Sequence, residues 1–360
     1  MLKSIRPILI IYFGQNIYNV AMKILVTGGC GYIGSHTAVD LINAGYEVSI
    51  IDNLSNSKYQ TLENICSITG KDSIEFYNID LQDYEGLISA IGNSNYECVI
   101  HFAALKSIPD SISHPIEYYQ NNILGSLNLL KVMKEITIEN IIFSSSASIY
   151  GTENTSPIKE DAALSASNPY AHTKIYTEQI INDSVRSGDI KKAIHLRYFN
   201  PVGAHESGLI GENPLNKPSN IMPTICRVAK KQQKYLKVFG NDYDTHDGTG
   251  IRDYIHIYDL VQGHISAVKK IFSDKHFYGC ENVNLGTGVG YSVLELIKSF
   301  EKENNVQIPY KILKRREGDI GCAFADPSFA NEFMSWKSVK NLNEMCRDAW
   351  RWTNKNISIV

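Results

Sequence analysis

Tyr170 and Lys174 stand four positions apart, a phenol and an amine that share one face if the backbone between them is helical. A free phenol titrates near 10, so a phenolate working near neutrality needs about 4 kcal/mol of stabilisation at 1.36 per unit. One ammonium about 4 Å away supplies roughly that much at an effective dielectric of 20. The pair is therefore equipped to act as a general base toward a substrate hydroxyl. A second Tyr-x-x-x-Lys pair, Tyr310 and Lys314, is no surprise in a chain with 21 tyrosines, and position separates the two. Tyr310 follows Pro309 in a run that alternates like a strand, so its two side chains need not converge. Tyr170 follows Asn168-Pro169, a helix-start signal, and opens an apolar-periodic stretch that predicts a helix over 170–185. Upstream, Ser144-Ser145-Ser146 end an apolar run, and the hydroxyl of Ser146 is placed to bond the same substrate oxygen as Tyr170. Turn or N-cap chemistry is the alternative for the serines, more so for Ser144 and Ser145 than for Ser146.

Residues 23–34 read KILVTGGCGYIG. The segment 23–26 is short and β-branched enough for a buried parallel strand, and 35–44 carries a helical pattern with Gly45 as its stop. Between them Gly28 can take a tight turn, Gly31 lets backbone approach a pyrophosphate, and Gly34 lets the helix pack close to the strand. The helix N-terminus then faces the phosphates. A second apolar run, 47–51, ends at Asp52, where a carboxylate accepts hydrogen bonds from an adenosine ribose and repels a 2′-phosphate. Strand, glycine turn, helix, strand and acid in that order point to NAD rather than NADP; a tight turn without a ligand is the bland alternative. An oxidised nicotinamide ring adds a second positive charge, so Lys174 and the cofactor together suffice to lower the Tyr170 phenol.

These groups need a scaffold, and the alternation of runs supplies one. Strand-like segments recur at 74–79, 98–102, 140–143 and 193–198, with helical stretches at 118–134 and 170–185 between them. The pattern predicts an α/β fold, a doubly wound parallel sheet of Rossmann type, with ligands at the carboxyl ends of its strands. That places Asp80 and Leu81 near the adenine and Phe102, Ala103, Ala104 and Lys106 along the dinucleotide. After Asn200 the chain turns to loops rich in Gly, Asn and Pro. The expected organisation is an NAD-binding domain over 22–199, a smaller C-terminal substrate-binding lobe over 200–350 and a polar tail over 351–360. Residues 1–21 stand outside it, as a disordered extension or a misassigned start with Met22 the true beginning; their apolar stretch, 7–13, is too short for a bilayer span of about 20 residues. A net charge of −3 gives no electrostatic case for nucleic acid, and no membrane partner is expected. Seven cysteines without a CxxC pair or a His/Cys cluster suggest reduced thiols, a cytoplasmic protein and no metal.

The segments TGGCGYIGSH, DNLSNS, HFAALK, EYYQNN, FSSSASIYG, NPYAHTK, LRYFNPVGAH, NIMPTI, FGNDYDTHDGTGIRDYIH, NLGTGVGYSVLE and RREGD follow one another over nearly the whole chain. In that series, from residue 22 to about 350, the sequence resembles the UDP-glucose 4-epimerase family of extended short-chain dehydrogenase/reductases. The resemblance implies Ser146, Tyr170 and Lys174 as the catalytic trio, and Tyr32, Ile33, Asp52, Asn53, Asp80, Asn121 and Phe199 at the NAD site. It implies that Asn200, Asn220, Phe239, Arg252, Arg316 and Asp319 hold the UDP-sugar, the arginines on its diphosphate. Phe239 as plain core and Asp319 as a salt-bridge partner are the alternatives. The implied reaction removes the proton of the sugar 4-hydroxyl at Tyr170 while hydride passes from C4 to NAD, turns the 4-keto sugar, and returns hydride to its other face. The resemblance also implies a homodimer, paired through the helices predicted at 118–134 and 170–185. Aligned from Arg316, Ala323 falls where members restricted to unmodified sugars carry a bulky tyrosine, so N-acetylated UDP-sugars are expected substrates too, unless Phe324 or a nearby loop fills the space. Sugar-nucleotide dehydratases share the Tyr/Lys pair but typically carry an acid at the serine turn, which here reads Ser146-Ala147-Ser148. A non-catalytic redox sensor is the rival of another class, and such proteins commonly lose the Tyr or Lys.

Overall fold

Seven strands, every neighbouring pair of them parallel, form the central sheet in the computed structural model of the chain, which describes residues 10–13, 16–19, 22–215, 220–316 and 318–356. They are β1 (Lys23–Thr27), β2 (Glu47–Ile51), β3 (Glu75–Tyr77), β4 (Cys98–His101), β5 (Asn140–Ser146), β6 (Lys192–Tyr198) and β7 (Gly279–Leu285). Their order across the sheet is β7-β6-β5-β4-β1-β2-β3. Strand order reverses between β1 and β4, so the crevice beyond their carboxyl ends is a topological switch point, where open α/β sheets bind ligands. The period-2 alternation of each strand feeds two cores. Ile24, Val26, Ile50, Ile100, Ile142 and Ile194 pack on one face, and Leu25, Ile51, Val99, Ile141, Phe143 and Ala193 on the other. Burial on both faces is why these runs read as continuously apolar.

The predicted strands are found, with edges that differ. Strand β5 runs through Ser144 and Ser145 to Ser146 instead of stopping at residue 143, so a turn role for the first two serines does not apply. The helix expected at 118–134 is three pieces, Pro115–Tyr119, a π-helical turn Gln120–Leu124, and Gly125–Glu135. Buried Asn122 is tied there by its amide to both backbone groups of Leu105 and to Thr173, a set of partners that an ordinary turn would aim elsewhere. The helix expected from 170 runs from Pro169 to Ser187, capped by the Asn168 side chain on the Ala171 amide.

Two domain boundaries require correction. The sheet is not complete within 22–199, because β7 returns from the second half and pairs along the whole of β6. The helix Ile257–Ser273 returns with it and shares a core with β1, and its Gln262 bonds Asp40 at 2.7 Å. The smaller lobe has its own core of Val202, Met222, Ile225, Tyr254, Leu296, Phe300 and Met345. The tail expected from 351 is also absent up to residue 355: the helix Leu342–Lys355 has an Asn341–Glu344 capping box and buries Leu342, Met345, Cys346, Ala349 and Trp352 on one face. Charged residues between those positions hid the stripe. Within the segment expected to lack structure, Ile10–Phe13 pairs antiparallel with Asn16–Asn19, in a ribbon that joins no other sheet. The strand Tyr310–Leu313 carries the decoy tyrosine at its exposed edge, and Lys314 follows it.

Candidate active site

The glycine turn leaves β1 with Gly28 at φ +69°, and a Cβ there would lie 2.8 Å from the Ala103 nitrogen. A Cβ on Gly34 would lie 2.3 Å from the Gly28 carbonyl oxygen, so only glycine lets the helix Tyr32–Asn43 start this close to the strand. At Gly31 the nearest atom to a Cβ would be the Gly28 oxygen, 3.2 Å away. Ile33 packs its side chain on the sheet core, while the Tyr32 hydroxyl reaches across to donate to the Gly203 carbonyl of the second lobe at 2.7 Å. Asp52 sits at the end of β2 with its carboxylate accepting from the Cys30 amide at 3.0 Å, the Leu54 amide at 2.9 Å and the Ser57 hydroxyl at 2.8 Å. A carboxylate offers about four acceptor positions, so roughly one is left for a ribose hydroxyl.

The other residues expected at the cofactor have the following partners in the fold. Asn53 donates to Asp80 at 2.8 Å, and Leu81 is buried against Gly125. Phe102 lies 4.9 Å from the His264 ring, and the Ala103 amide and His101 share the Thr27 hydroxyl. Ala104 follows, half-buried. Asn121 sits in the π-helical turn with its amide on Asn122 at 2.9 Å, and Phe199 is buried with Ile149, Tyr150 and Ala325. The ammonium of Lys106, also expected along the dinucleotide, pairs with Glu212 of the second lobe at 3.0 Å.

The end of β5 faces the helix Pro169–Ser187 at the centre of the crevice. Lys174 is buried, its ammonium 5.8 Å from the Tyr170 ring centroid, 4.8 Å from that of Phe143, and donating to the Ser144 carbonyl at 2.7 Å. Ser146 caps a 3-10 turn, Ala147–Tyr150, and accepts from the Ser148 amide at 3.2 Å. Among the protein groups alone, burial dominates the electrostatics. Burial raises the Tyr170 phenol above its ordinary value, opposed by the Ser146 hydroxyl, and burial lowers the Lys174 ammonium to about 7, opposed by the charge of Glu178. The ammonium, 5.8 Å from the ring centroid, is spent partly on a backbone carbonyl while burial opposes the phenolate, so the residues alone do not bring the phenol down. A further positive charge is needed.

At the far side, Asp319 lies between the two expected arginines, 2.8 Å from Arg316 and 3.7 Å from Arg252. Arg316 also stacks 4.8 Å from the Phe239 ring. Phe239 is therefore half-buried beside an arginine instead of plain core, and Asp319 does act as a salt-bridge partner. Asn200 begins the strand Asn200–Val202 with its side chain exposed, paired alongside Tyr254. Asn220 precedes the helix Ile221–Ala229 and donates to Glu212 at 2.6 Å, so Glu212 holds Lys106 and Asn220 together. Ala323 is opposite Arg252 in the register of the small sheet and packs toward Ile149 and Phe199.

Sequence reasoning missed a buried network behind the trio. Glu178 pairs with Arg197 at 2.7 Å, and Ser145 donates to Glu178 at 2.5 Å. Arg197 continues to the Tyr150 hydroxyl at 3.0 Å, which donates to Asn284 at 2.7 Å. The available signal was spacing: Glu178 lies one turn beyond Lys174 on the same helix face. Glu212 had no local signal.

Residues 25–349 match the family model described as GDP-mannose 4,6 dehydratase. The chain is 48% identical over 337 residues to a UDP-glucose 4-epimerase of Bacillus subtilis, spanning 94% of this chain and 98% of that one. It is 49% identical over 334 residues to one of Dictyostelium discoideum, spanning 93% and 96%. Among solved structures, the UDP-glucose 4-epimerase of Stenotrophomonas maltophila with bound NAD and formylated UDP-arabinopyranose superposes with a TM-score of 0.90 at 43% identity, over 94% of this chain and all of that one. The Bifidobacterium longum enzyme in complex with NAD+ and UDP gives 0.89 at 44% identity, over the same shares.

Proposed function

The chain belongs to the UDP-glucose 4-epimerase family, NAD-dependent isomerases that interconvert UDP-galactose and UDP-glucose, and we propose that Tyr170, Lys174 and Ser146 carry that reaction in it. The residues at the crevice suit NAD: the glycine turn admits no Cβ at Gly28 or Gly34, and Asp52 keeps an acceptor for a ribose hydroxyl. NAD bound there would supply reversible hydride transfer at sugar C4 and a positive charge beside the Tyr170 phenol. Tyr170 accepts the proton of the 4-hydroxyl and later returns it. Lys174 holds that proton transfer electrostatically, and Ser146 bonds the same oxygen. Arg252 and Arg316 hold the diphosphate, leaving the sugar free to turn between the two hydride transfers.

The observation that carries this reading is the meeting of Tyr170, Lys174 and Ser146 at the carboxyl end of β5, in the crevice that the glycine turn also lines. Dehydration finds no support at that turn, where Ala147 and Ser148 follow Ser146 and no acid stands. The test is conversion of UDP-galactose to UDP-glucose. Tyr170→Phe is expected to keep the fold and its NAD while losing most turnover; near-native turnover would remove Tyr170 from the mechanism.

Three finer readings rest on the same site. Ala323 is small enough to leave room for an N-acetyl group on C2, and the ring of its neighbour Phe324 lies beside Gly290. The enzyme therefore acts on UDP-N-acetylglucosamine and UDP-N-acetylgalactosamine as well. Exposed Ile116, Leu127 and Tyr176 on the helices around the π-helical turn and on Pro169–Ser187 form the face through which two copies pair; a monomer by light scattering at micromolar concentration would exclude that. Among the described residues no helix is long and apolar enough to cross a membrane, and Cys30, Cys98, Cys226 and Cys346 are buried free thiols, which suits a cytoplasmic enzyme.

A further inference from the structure

Ser145 and Glu178 play no part in the reaction as described, yet both are buried beside it. Glu178 lies one helical turn beyond Lys174 and two beyond Tyr170. Its carboxylate is fully engaged: Arg197 reaches Oε1 through Nε at 3.0 Å and Oε2 through a terminal nitrogen at 2.7 Å, and the Ser145 hydroxyl donates to Oε1 at 2.5 Å. A buried bidentate pair is an expensive arrangement, which packed apolar residues often match or exceed in stability. Its location behind the catalytic amine gives it another use. We propose that Glu178 is a positioning residue whose carboxylate, held by Arg197 and Ser145 one helical turn behind Lys174, favours the ammonium form of that lysine.

The groups around Lys174 leave few alternatives. On its own helix it faces Tyr170 and Glu178; on β5 it meets the Ser144 carbonyl and the Phe143 ring; from β4 it faces His101. Burial holds His101 neutral near 3, and the Lys174 charge pushes it the same way. Among these, Glu178 is the anion that favours the ammonium. Glu178 in turn faces Arg197 and His195 on β6 and Ser145 on β5, with Tyr150 and Cys280 farther round; burial pushes its carboxyl up, and Arg197, His195 and Ser145 outweigh it and hold it below the usual value. The bidentate pair with Arg197 favours its charged form. This inference rests on the reading of Lys174 as an electrostatic catalyst only for its consequence in turnover; the titration itself is independent of it.

The test is a direct titration of Lys174 in the NAD-loaded enzyme, by the 13Cε resonance that disappears in Lys174→Met. Glu178→Gln keeps the shape and removes the charge, and is expected to lower the Lys174 midpoint by about one pH unit or more. Glu178→Asp keeps the charge and is expected to hold the midpoint near that of the parent. If Glu178→Gln alone is insoluble because Arg197 is left unpaired, Glu178→Gln/Arg197→Gln removes that unpaired guanidinium as well and is expected to shift the Lys174 midpoint in the same direction. A midpoint unchanged in the folded charge-free variant, or displaced equally by Asp and Gln, overturns the proposal. A lowered midpoint with unchanged turnover would uphold the proposal and count instead against the role given to Lys174 in the reaction.

Discussion

Lys174→Met separates the electrostatic account of Tyr170 from a purely geometric one. The ammonium lies 5.8 Å from the centre of the Tyr170 ring. At an effective dielectric of 20, a unit charge at that distance contributes about 3 kcal/mol to the phenolate, equivalent to about two pH units. Methionine fills much the same volume without charge, so the variant should need a pH about two units higher to reach the same fraction of phenolate. The expected result is a rising limb of kcat displaced upward by up to that amount, with a deficit that is largest where the Lys174 ammonium is populated and closes as the pH is raised. The assay is the initial rate of UDP-glucose formation from UDP-galactose at saturating substrate across that range, with NAD retention checked at each pH. A loss that is uniform in pH would refute the argument, because it would mean that Lys174 acts through position alone. The Ser144 carbonyl also loses its donor in this variant, so a lower melting temperature is expected and does not bear on the pH displacement.

The same lysine carries a stability signature. Its folded value of about 7 lies below the ordinary 10.5, so between those values the unfolded chain binds more protons. The contribution of this group then makes stability rise with pH upward from about 7, and Lys174→Met should flatten that slope relative to the parent in chemical denaturation; identical slopes would contradict the lowered value. Ala323→Tyr should reduce turnover of N-acetylated UDP-sugars by about tenfold to a hundredfold, from 1 to 3 kcal/mol of overpacking, and spare UDP-galactose; equal loss of both substrates would refute the gate. Cofactor released by denaturing pure enzyme should be NAD, and recovery of mainly NADP would contradict the role given to Asp52.

What was legible in the sequence is what local physics encodes. The strand β1, the glycine turn and the helix after it announce themselves because each has its own period and its own punctuation. The tyrosine and lysine were separable from their decoy because a helix start precedes one pair and a strand contains the other. The return of β7 to the sheet was not legible, since Gly279–Leu285 is an unremarkable run whose pairing with β6 is a contact across 87 residues at His195 and Asn282. The helix to Lys355 was hidden by charged residues between its apolar positions. The direction of the Tyr170 shift was not legible either, because burial and the diversion of Lys174 to a carbonyl exist only after packing.

The three serines show how a repetitive local sequence acquires distinct roles in the fold. Ser144 offers its carbonyl to Lys174, Ser145 its hydroxyl to Glu178, and Ser146 its hydroxyl on the side of Tyr170. Along the helix, the three partners are spaced four residues apart and together span about 12 Å. Along the strand, the serines span about 7 Å, so side chains of unequal length must bridge the difference. The partners do not follow the strand in order, since Ser144 takes Lys174, Ser145 takes Glu178 and Ser146 faces Tyr170, and the long arm of Lys174 is what reaches a backbone oxygen. A serine run in a loop would have been free to choose other partners. Because β5 extends through all three, their positions are set by the ladder with β6, from Ser144 opposite Leu196 to Ser146 opposite Tyr198, and the reacting hydroxyl of Ser146 inherits the rigidity of the sheet.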